Sequence, residues 1–273
     1  TMIRQMITHD DITQLPKIRF TGFSDIKPMP GAELIEAFAD SYHHVGLDDT
    51  IVVTRSNKRA NIFNQGIRNM VLDREEELSQ GDILMIVKNN YYWMEEERKK
   101  MKEKDNQVPS NEIPAFLANG DRAKVLKVRR RIDLYGFRFA TLLLQFPDYG
   151  NYELEATVLL DTLTSEAPAL THEQQEQLFH QIEEDYQDVP LKADRMKAIR
   201  QDQFYNALQV KFAYAVTCHK AQGGQWAHVY VDQGYMTDDM LTPDYIHWLY
   251  TAFTRATEML YLVNWPETQI ETS

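Results

Sequence analysis

Thr217, His219, Lys220 and Gln222 stand close together directly after an apolar run, Lys211 to Val216. Gly223, Gly224 and Gln225 follow, and a second apolar run spans Trp226 to Val231. A buried strand that ends in hydroxyl, imidazole, ammonium and carboxamide groups is how α/β sheets present ligand sites at their C-terminal edge. Glycine there allows close backbone approach. The same polar groups can also bond their own backbone. Further on, Arg255 falls near the end of a helical pattern that opens at Thr242-Pro243, with threonine at the cap and proline at the first position. The helix macrodipole favours an arginine at that end. A guanidinium is also a permanent, planar cation suited to phosphate oxygens. Arg55 follows the β-branched stretch Ile51–Thr54.

These groups need a scaffold. Pro30 to Tyr42 reads as a helix with Leu34, Phe38 and Tyr42 on one face, and Gly46 as its stop. Ile51–Thr54 reads as a buried strand. Ser56 or Asn57 can cap a following helix whose Phe63, Ile67 and Met70 share a face, with Asn64 on it. The texture then changes to short strands joined by turns: Ile83–Val87, Ala123–Arg130, Phe137–Phe146 and Tyr152–Leu160. These predict a small antiparallel barrel. Between its first two strands, Glu95–Gln107 is almost wholly charged and reads as a solvated loop. Thr171-His-Glu-Gln174 has capping-box form and opens an acidic helix. Residues 211–263 read strand, strand, helix, strand. The simplest assembly is α/β, with residues 1–77 and 166–273 in one parallel-sheet domain. In it 166–204 is a helical return, and 78–165 is the inserted barrel.

Composition narrows the possibilities. The chain has 273 residues and a formal charge of -12, so any nucleic-acid contact must use a local groove. Its single cysteine, Cys218, excludes an internal disulfide framework and a zinc cluster, and fits a cytoplasmic, reducing location. Cys218 reads as a strand-end filler, with His219 pointing to the opposite side. The histidines show no metal spacing. No apolar run approaches the roughly 18 residues needed to span a membrane. The opening Thr1-Met2 enters patterned sequence at once and suggests a piece of a longer polypeptide.

Val216-Thr-Cys-His-Lys-Ala-Gln-Gly223 and Leu249-Tyr-Thr-Ala-Phe-Thr-Arg-Ala256 together resemble motifs V and VI of superfamily 1 DNA helicases, in the RecD/Dda-like branch. Ile51-Val-Val-Thr-Arg-Ser-Asn-Lys-Arg-Ala-Asn-Ile-Phe-Asn64 is similar to motif IV. The three motifs come in the family's order. The resemblance implies the second RecA-like motor domain of such a helicase, a P-loop-type fold without the P-loop itself, with the family's small 2B barrel inserted. The chain has no Gly-Lys and no Asp-Glu pair, so it has neither a Walker A loop nor a Walker B pair. It looks like the C-terminal half of an ATP-driven motor. ATP and magnesium then belong to the full-length protein, and this part alone is expected to bind neither and to be inactive.

Residue by residue, the resemblance implies that Arg255 is a catalytic arginine reaching the γ-phosphate, where phosphoryl transfer spreads negative charge. It implies nucleotide contacts from Gly224, Gln225 and Arg55. It implies single-stranded DNA backbone contacts from Thr217, His219 and Lys220. It implies coupling roles for Gln222, Gly223 and Thr254. Gln225 departs from the family, in which many members carry glutamate. The partners implied are ATP, single-stranded DNA and the chain's own N-terminal motor domain. A helicase-derived module that binds nucleic acid or protein without hydrolysis is the alternative. Two barrel features stay open. The basic strand Arg122–Arg131 is either an ordinary charged strand or a DNA-facing one. Tyr91, Tyr92 and Trp93 either stack bases or fill the core.

Overall fold

The computed structural model describes residues 2–9, 15–103 and 114–271. In chain order the elements are α1 (Met2–His9), β1 (Ile26–Met29), α2 (Leu34–His44), β2 (Thr50–Thr54), α3 (Asn57–Gly66), β3 (Ile83–Ile86), α4 (Tyr92–Glu103), β4 (Arg122–Leu134), β5 (Phe137–Phe146), β6 (Tyr152–Leu159), α5 (His172–Asp185), α6 (Lys192–Arg200), β7 (Leu208–Phe212), β8 (Ala215–Thr217), α7 (Cys218–Ala221), β9 (Trp226–Asp232), α8 (Pro243–Phe253) and β10 (Ala256–Val263). They form two compact units: Thr1–Glu75 with Tyr214–Ser273, and Glu76–Ala213. No helix among the described residues is long and apolar enough to cross a membrane.

The first unit is a parallel sheet ordered β1-β10-β9-β2-β8 with flanking helices, the expected RecA-like arrangement. Its central strands β2 and β9 are buried along their whole length, as their unbroken apolar runs require. Helix α2 is fixed to β9 by a buried chain of hydroxyls. Tyr230 donates to Ala37 O at 2.8 Å and contacts Ser41 Oγ at 2.7 Å, which in turn meets His228 Nδ1 at 2.8 Å. Because the Tyr230 proton is committed to Ala37, Ser41 donates to Tyr230 and accepts from His228 Nδ1–H. Tyr261 stacks on Tyr230 at 4.4 Å. Helix α3 is capped by Ser56, which accepts from Arg59 N; Asn57 is its first residue. Residues Ile67–Val71 then take a π-turn. The wider turn rotates Met70 off the face it was expected to share with Phe63 and Ile67, leaving it 61% exposed while Ile67 is buried.

The edge strand β8 is held by a side chain. In the parallel pairing, Val52 lies opposite Ala215, so the N–H and C=O of Ala215 point away from β2. Asn64 meets both: its amide donates to Ala215 O at 2.9 Å and accepts from Ala215 N at 2.8 Å. The helix-face asparagine of the sequence is thus a buried surrogate for a sixth strand.

The second unit is a closed five-stranded barrel, β3-β4-β5-β6-β7. Its first four strands are the expected ones. Closure comes from β7, which pairs antiparallel with β3 and parallel with β6. This corrects the reading of Lys211–Val216 as one strand. Ala213 N still bonds the barrel at Ile83 O, whereas Tyr214 O already bonds the sheet at Val52 N. The run is apolar and buried throughout, so periodicity carries no sign of the break. The helical segment 166–204 also belongs here and not with the sheet. Leu178, Ile182 and Ile199 share one buried cluster with Phe137, Phe139 and Leu159 of the barrel. The capping box on α5 is present, with Thr171 and Gln174 bonding reciprocally.

One further expectation changes. Most of the charged stretch Glu95–Gln107 is helix α4, supported by Glu96–Lys99 and Glu97–Lys100 pairs one turn apart. Its last residues lie outside the described ones. Strand β4 carries two register shifts, between Val125 and Lys127 and between Val128 and Arg130. These bulges break the alternation by which Lys124 and Arg130 would share one face and Lys127 and Arg129 the other. Lys127, Arg129, Arg130 and Arg131 are all exposed. Arg129 and Arg131 are engaged by Glu155 and Glu76. Trp93 is buried and donates to Asn206 O at 2.9 Å, whereas Tyr91 is exposed.

Asn64→Ala leaves the N–H and C=O of Ala215 without partners. The expected loss is about 2–6 kcal/mol, from an unmet cost of roughly 1–3 kcal/mol for each of the two buried groups. Urea unfolding and hydrogen exchange at the Ala215 amide measure it. An unchanged midpoint together with undiminished protection would disprove the strand-surrogate role.

Candidate functional site

Thr217 closes β8 and Arg55 follows β2, and the strands are in register with Thr54 opposite Thr217. Both therefore sit at C-terminal strand ends. Gln225 directly precedes β9 and Arg255 directly precedes β10, whose first residues, Trp226 and Ala256, pair. These two sit at N-terminal strand ends. So only part of the set lies at the C-terminal edge where the sequence pattern put it. The reason is topological: a connection between parallel strands must return from the end of one to the start of the next. Here α7 and residues 222–225 make that return. Cys218 consequently begins a helix and does not lie on the strand, so its contrast with His219 is not one of strand faces.

Helix α8 lies beside both ends. The Arg55 guanidinium sits over the rings of Tyr245 at 5.6 Å and Trp248 at 6.0 Å, and touches Met236 Sδ. Arg255 folds back at the other end of the helix. Its Nε donates to Thr251 O at 2.9 Å, Nη1 to Gly224 O at 2.9 Å and Nη2 to Thr254 Oγ1 at 3.1 Å. Trp248 and Thr251 are one turn apart, so the two guanidinium groups flank the same stretch of α8. Cys218 is packed beneath it, with Sγ 3.6 Å from Trp248 O. Burial pushes this thiol up to about 11, against an opposing pull from the Arg255 charge. It is therefore protonated and unreactive near neutral pH. Neither Arg55 nor Arg255 has a carboxylate partner among the described residues.

The loop that receives Arg255 is shaped by glycine. Gly223 has φ of +83°, in the left-handed region. Gly224 lies flat on the Trp226 indole, where an added Cβ would come within 2.3 Å of the ring. The backbone closes the arrangement: Trp226 N donates to Arg255 O at 2.9 Å, and Thr257 Oγ1 donates to Trp226 O at 3.2 Å. Thr254 spends its proton on the carbonyls of Tyr250 and Thr251 at 2.9 and 3.1 Å, which turns its lone pair to Arg255.

Thr217 is the cap residue of α7, yet its side chain makes no capping bond. Its hydroxyl and the exposed His219 ring have no hydrogen-bond partner among the described residues. The Thr54 hydroxyl next to it, by contrast, is bonded to Ser56 O at 3.0 Å. Lys220 is half-buried, and burial lowers its pKa. Gln222 and Gln225 are exposed.

Sequence reading assigned no role to a third arginine. Arg59 forms a two-pronged pair with Asp232, Nε to Oδ2 at 2.8 Å and Nη2 to Oδ1 at 2.7 Å. Asp232 ends β9 opposite Thr54. The same pair raises the arginine's pKa, chiefly through the hydrogen bond to Asp232. Arg59 is thereby neutralised while Arg55 is not, a difference that two arginines four residues apart do not reveal in sequence. Gln233, Tyr245 and Gln269 also close a buried ring, with bonds of 2.7, 2.7 and 3.2 Å, which fixes the first turn of α8.

The model of the UvrD-like helicase C-terminal domain family matches residues 212–263, which run from the end of β7 to the end of β10. No curated protein matches the chain. Among solved structures, that of the Pif1 helicase from Candida albicans is similar over 82% of this chain, at 13% identity and a TM-score of 0.40. The chain spans 47% of that protein's solved chain. The matched segment holds Thr217, His219, the glycine loop, α8 and Arg255, the residues that carry the resemblance to superfamily 1 helicases, and over residues 212–263 the chain is similar to the UvrD-like helicase C-terminal domain family.

Proposed function

We propose that the chain is the C-terminal half of an ATP-dependent DNA helicase, in which Arg255 stabilises charge on the γ-phosphate and Thr217, His219 and Lys220 grip the backbone of single-stranded DNA. The observation that carries this reading is the state of Arg255. Its charge is met by two carbonyls and a hydroxyl and by no carboxylate among the described residues. Neutral dipoles orient a guanidinium without cancelling it, so the group keeps its full attraction for developing phosphate charge. Arg55, also without a carboxylate, is a second cation along the same helix and supports a nucleotide contact there. ATP supplies the phosphoryl group to be transferred. The residues that would hold magnesium are expected in the N-terminal motor domain.

Coupling follows from the bond to Gly224. A γ-phosphate that takes Nη1 of Arg255 competes with the Gly224 carbonyl for it. Release of that carbonyl frees the loop of Gln222 and Gly223, which is continuous with α7 and so with Thr217 and His219. The unpartnered Thr217 hydroxyl and the exposed His219 ring suit sequence-independent phosphate contacts that a translocating motor makes and breaks. Gln225 can accept and donate hydrogen bonds to a ribose but adds no charge.

Arg255→Ala in the full-length protein is expected to keep ATP binding and to lose hydrolysis by about 10³-fold or more, the usual worth of such an arginine. Undiminished turnover would remove the role. Thr217→Ala with His219→Ala is expected to weaken single-strand binding about tenfold, or about 1.4 kcal/mol, in a fluorescence anisotropy titration with oligo-dT. Unchanged affinity and unchanged translocation would refute the grip.

A further inference from the structure

The barrel unit carries a cleft that neither the sheet nor the nucleotide reading uses. It lies between the segment after β3 and the turn before β7, with a volume of about 250 Å³. Its walls are aromatic and open to solvent. Tyr91 is 54% exposed and stacks on Phe116 at 4.7 Å; Tyr205 is 40% exposed. The turn that presents Tyr205 is fixed, because Asp202 accepts from the N–H groups of Phe204 and Tyr205 at 2.7 and 3.0 Å. The opposite wall is fixed too, since Asn90 and Trp93 both donate to Asn206 O at 2.9 Å.

Deep in the lining is Gln209, only 7% exposed. Its Oε1 accepts from Leu170 N at 2.9 Å, but its amide nitrogen has no partner among the described residues. That nitrogen is not among the fully enclosed donors without a partner, so it is reached from the cleft that Gln209 lines. At the rim Lys88 has no carboxylate partner among the described residues. The cleft therefore offers donors between two aromatic walls.

We propose that this cleft binds an extended, proline-containing peptide in the polyproline II conformation, with an acidic residue toward Lys88. A polyproline II segment has no internal hydrogen bonds, so every carbonyl is an acceptor in need of a donor. Prolyl rings pack in aromatic-lined grooves at little entropic cost. The Gln209 amide supplies the donor and Tyr91 with Tyr205 supply the walls. A nucleic-acid strand fits less well. Lys88 is the only cation lining the cleft among the described residues. A row of phosphates would find one cation where it needs several.

The test uses the whole 273-residue chain and three fluorescein-labelled probes: decaproline with one aspartate at its N-terminus, a glycine-serine decamer, and dT12. Saturable anisotropy is expected for the proline probe alone at the cleft, with at least about a tenfold loss for Tyr91→Ala and for Tyr205→Ala. Both residues are at the surface, and circular dichroism checks that each variant folds. The same titration by NMR on the unsubstituted chain should shift the side-chain amide of Gln209. Absence of saturation, equal binding of the glycine-serine probe, an unmoved Gln209 amide, or a tyrosine-dependent site for dT12 would each overturn the proposal. The last would assign the cleft to nucleic acid.

Discussion

A guanidinium with no carboxylate to neutralise it must be held by dipoles, and the dipoles that hold Arg255 come from two different pieces of chain. Thr251 and Thr254 belong to the last turn of α8, and Gly224 belongs to the loop that leads into β9. The clasp exists only because β9 and β10 start side by side and because Trp226 N reaches back to Arg255 O. It also explains the second glycine. A side chain at position 224 would displace the indole that supports the loop. Everything proposed about coupling depends on this small set of bonds, which join the arginine proposed to meet phosphate to the segment that ends at Thr217.

The sheet keeps the two ends of that segment in place. On the α7 side, Asn64 stands in for a missing strand and stops β8 from fraying at its open edge. On the α8 side, the ring of Gln233, Tyr245 and Gln269 anchors the first helical turn, over which Arg55 lies. Arg59 and Asp232 cancel each other at the strand ends. Arg55 and Arg255 have no carboxylate partner among the described residues, and they are the two proposed to meet nucleotide.

Much of this was legible in the chain. The apolar runs of β2 and β9, the Thr242-Pro243 helix start, the capping box at Thr171 and the four turn-linked barrel strands are local patterns, and local patterns survive folding. What was not legible is long-range. Nothing in Leu208–Val216 marks where the barrel ends and the sheet begins, because both environments are equally buried. The packing of 166–204 on the barrel depends on Phe137, Phe139 and Leu159, which periodicity alone cannot pair with Leu178 or Ile182. The Asn64 clamp and the Arg59 pair each join residues far apart in sequence. The glutamate–lysine pairs of α4, by contrast, were visible at their spacing, and charge density obscured the helix.

The central claim is that Arg255 transmits the nucleotide state to the DNA grip. Its most direct measure is the single-strand affinity of the full-length protein with and without ADP–aluminium fluoride, in the native chain and in Arg255→Lys. Lysine keeps the charge but lacks the fork that engages Thr251, Thr254 and Gly224 together. The account predicts that the native affinity shifts when the analogue binds and that the shift is lost in the lysine variant. A shift of equal size in both proteins would contradict it.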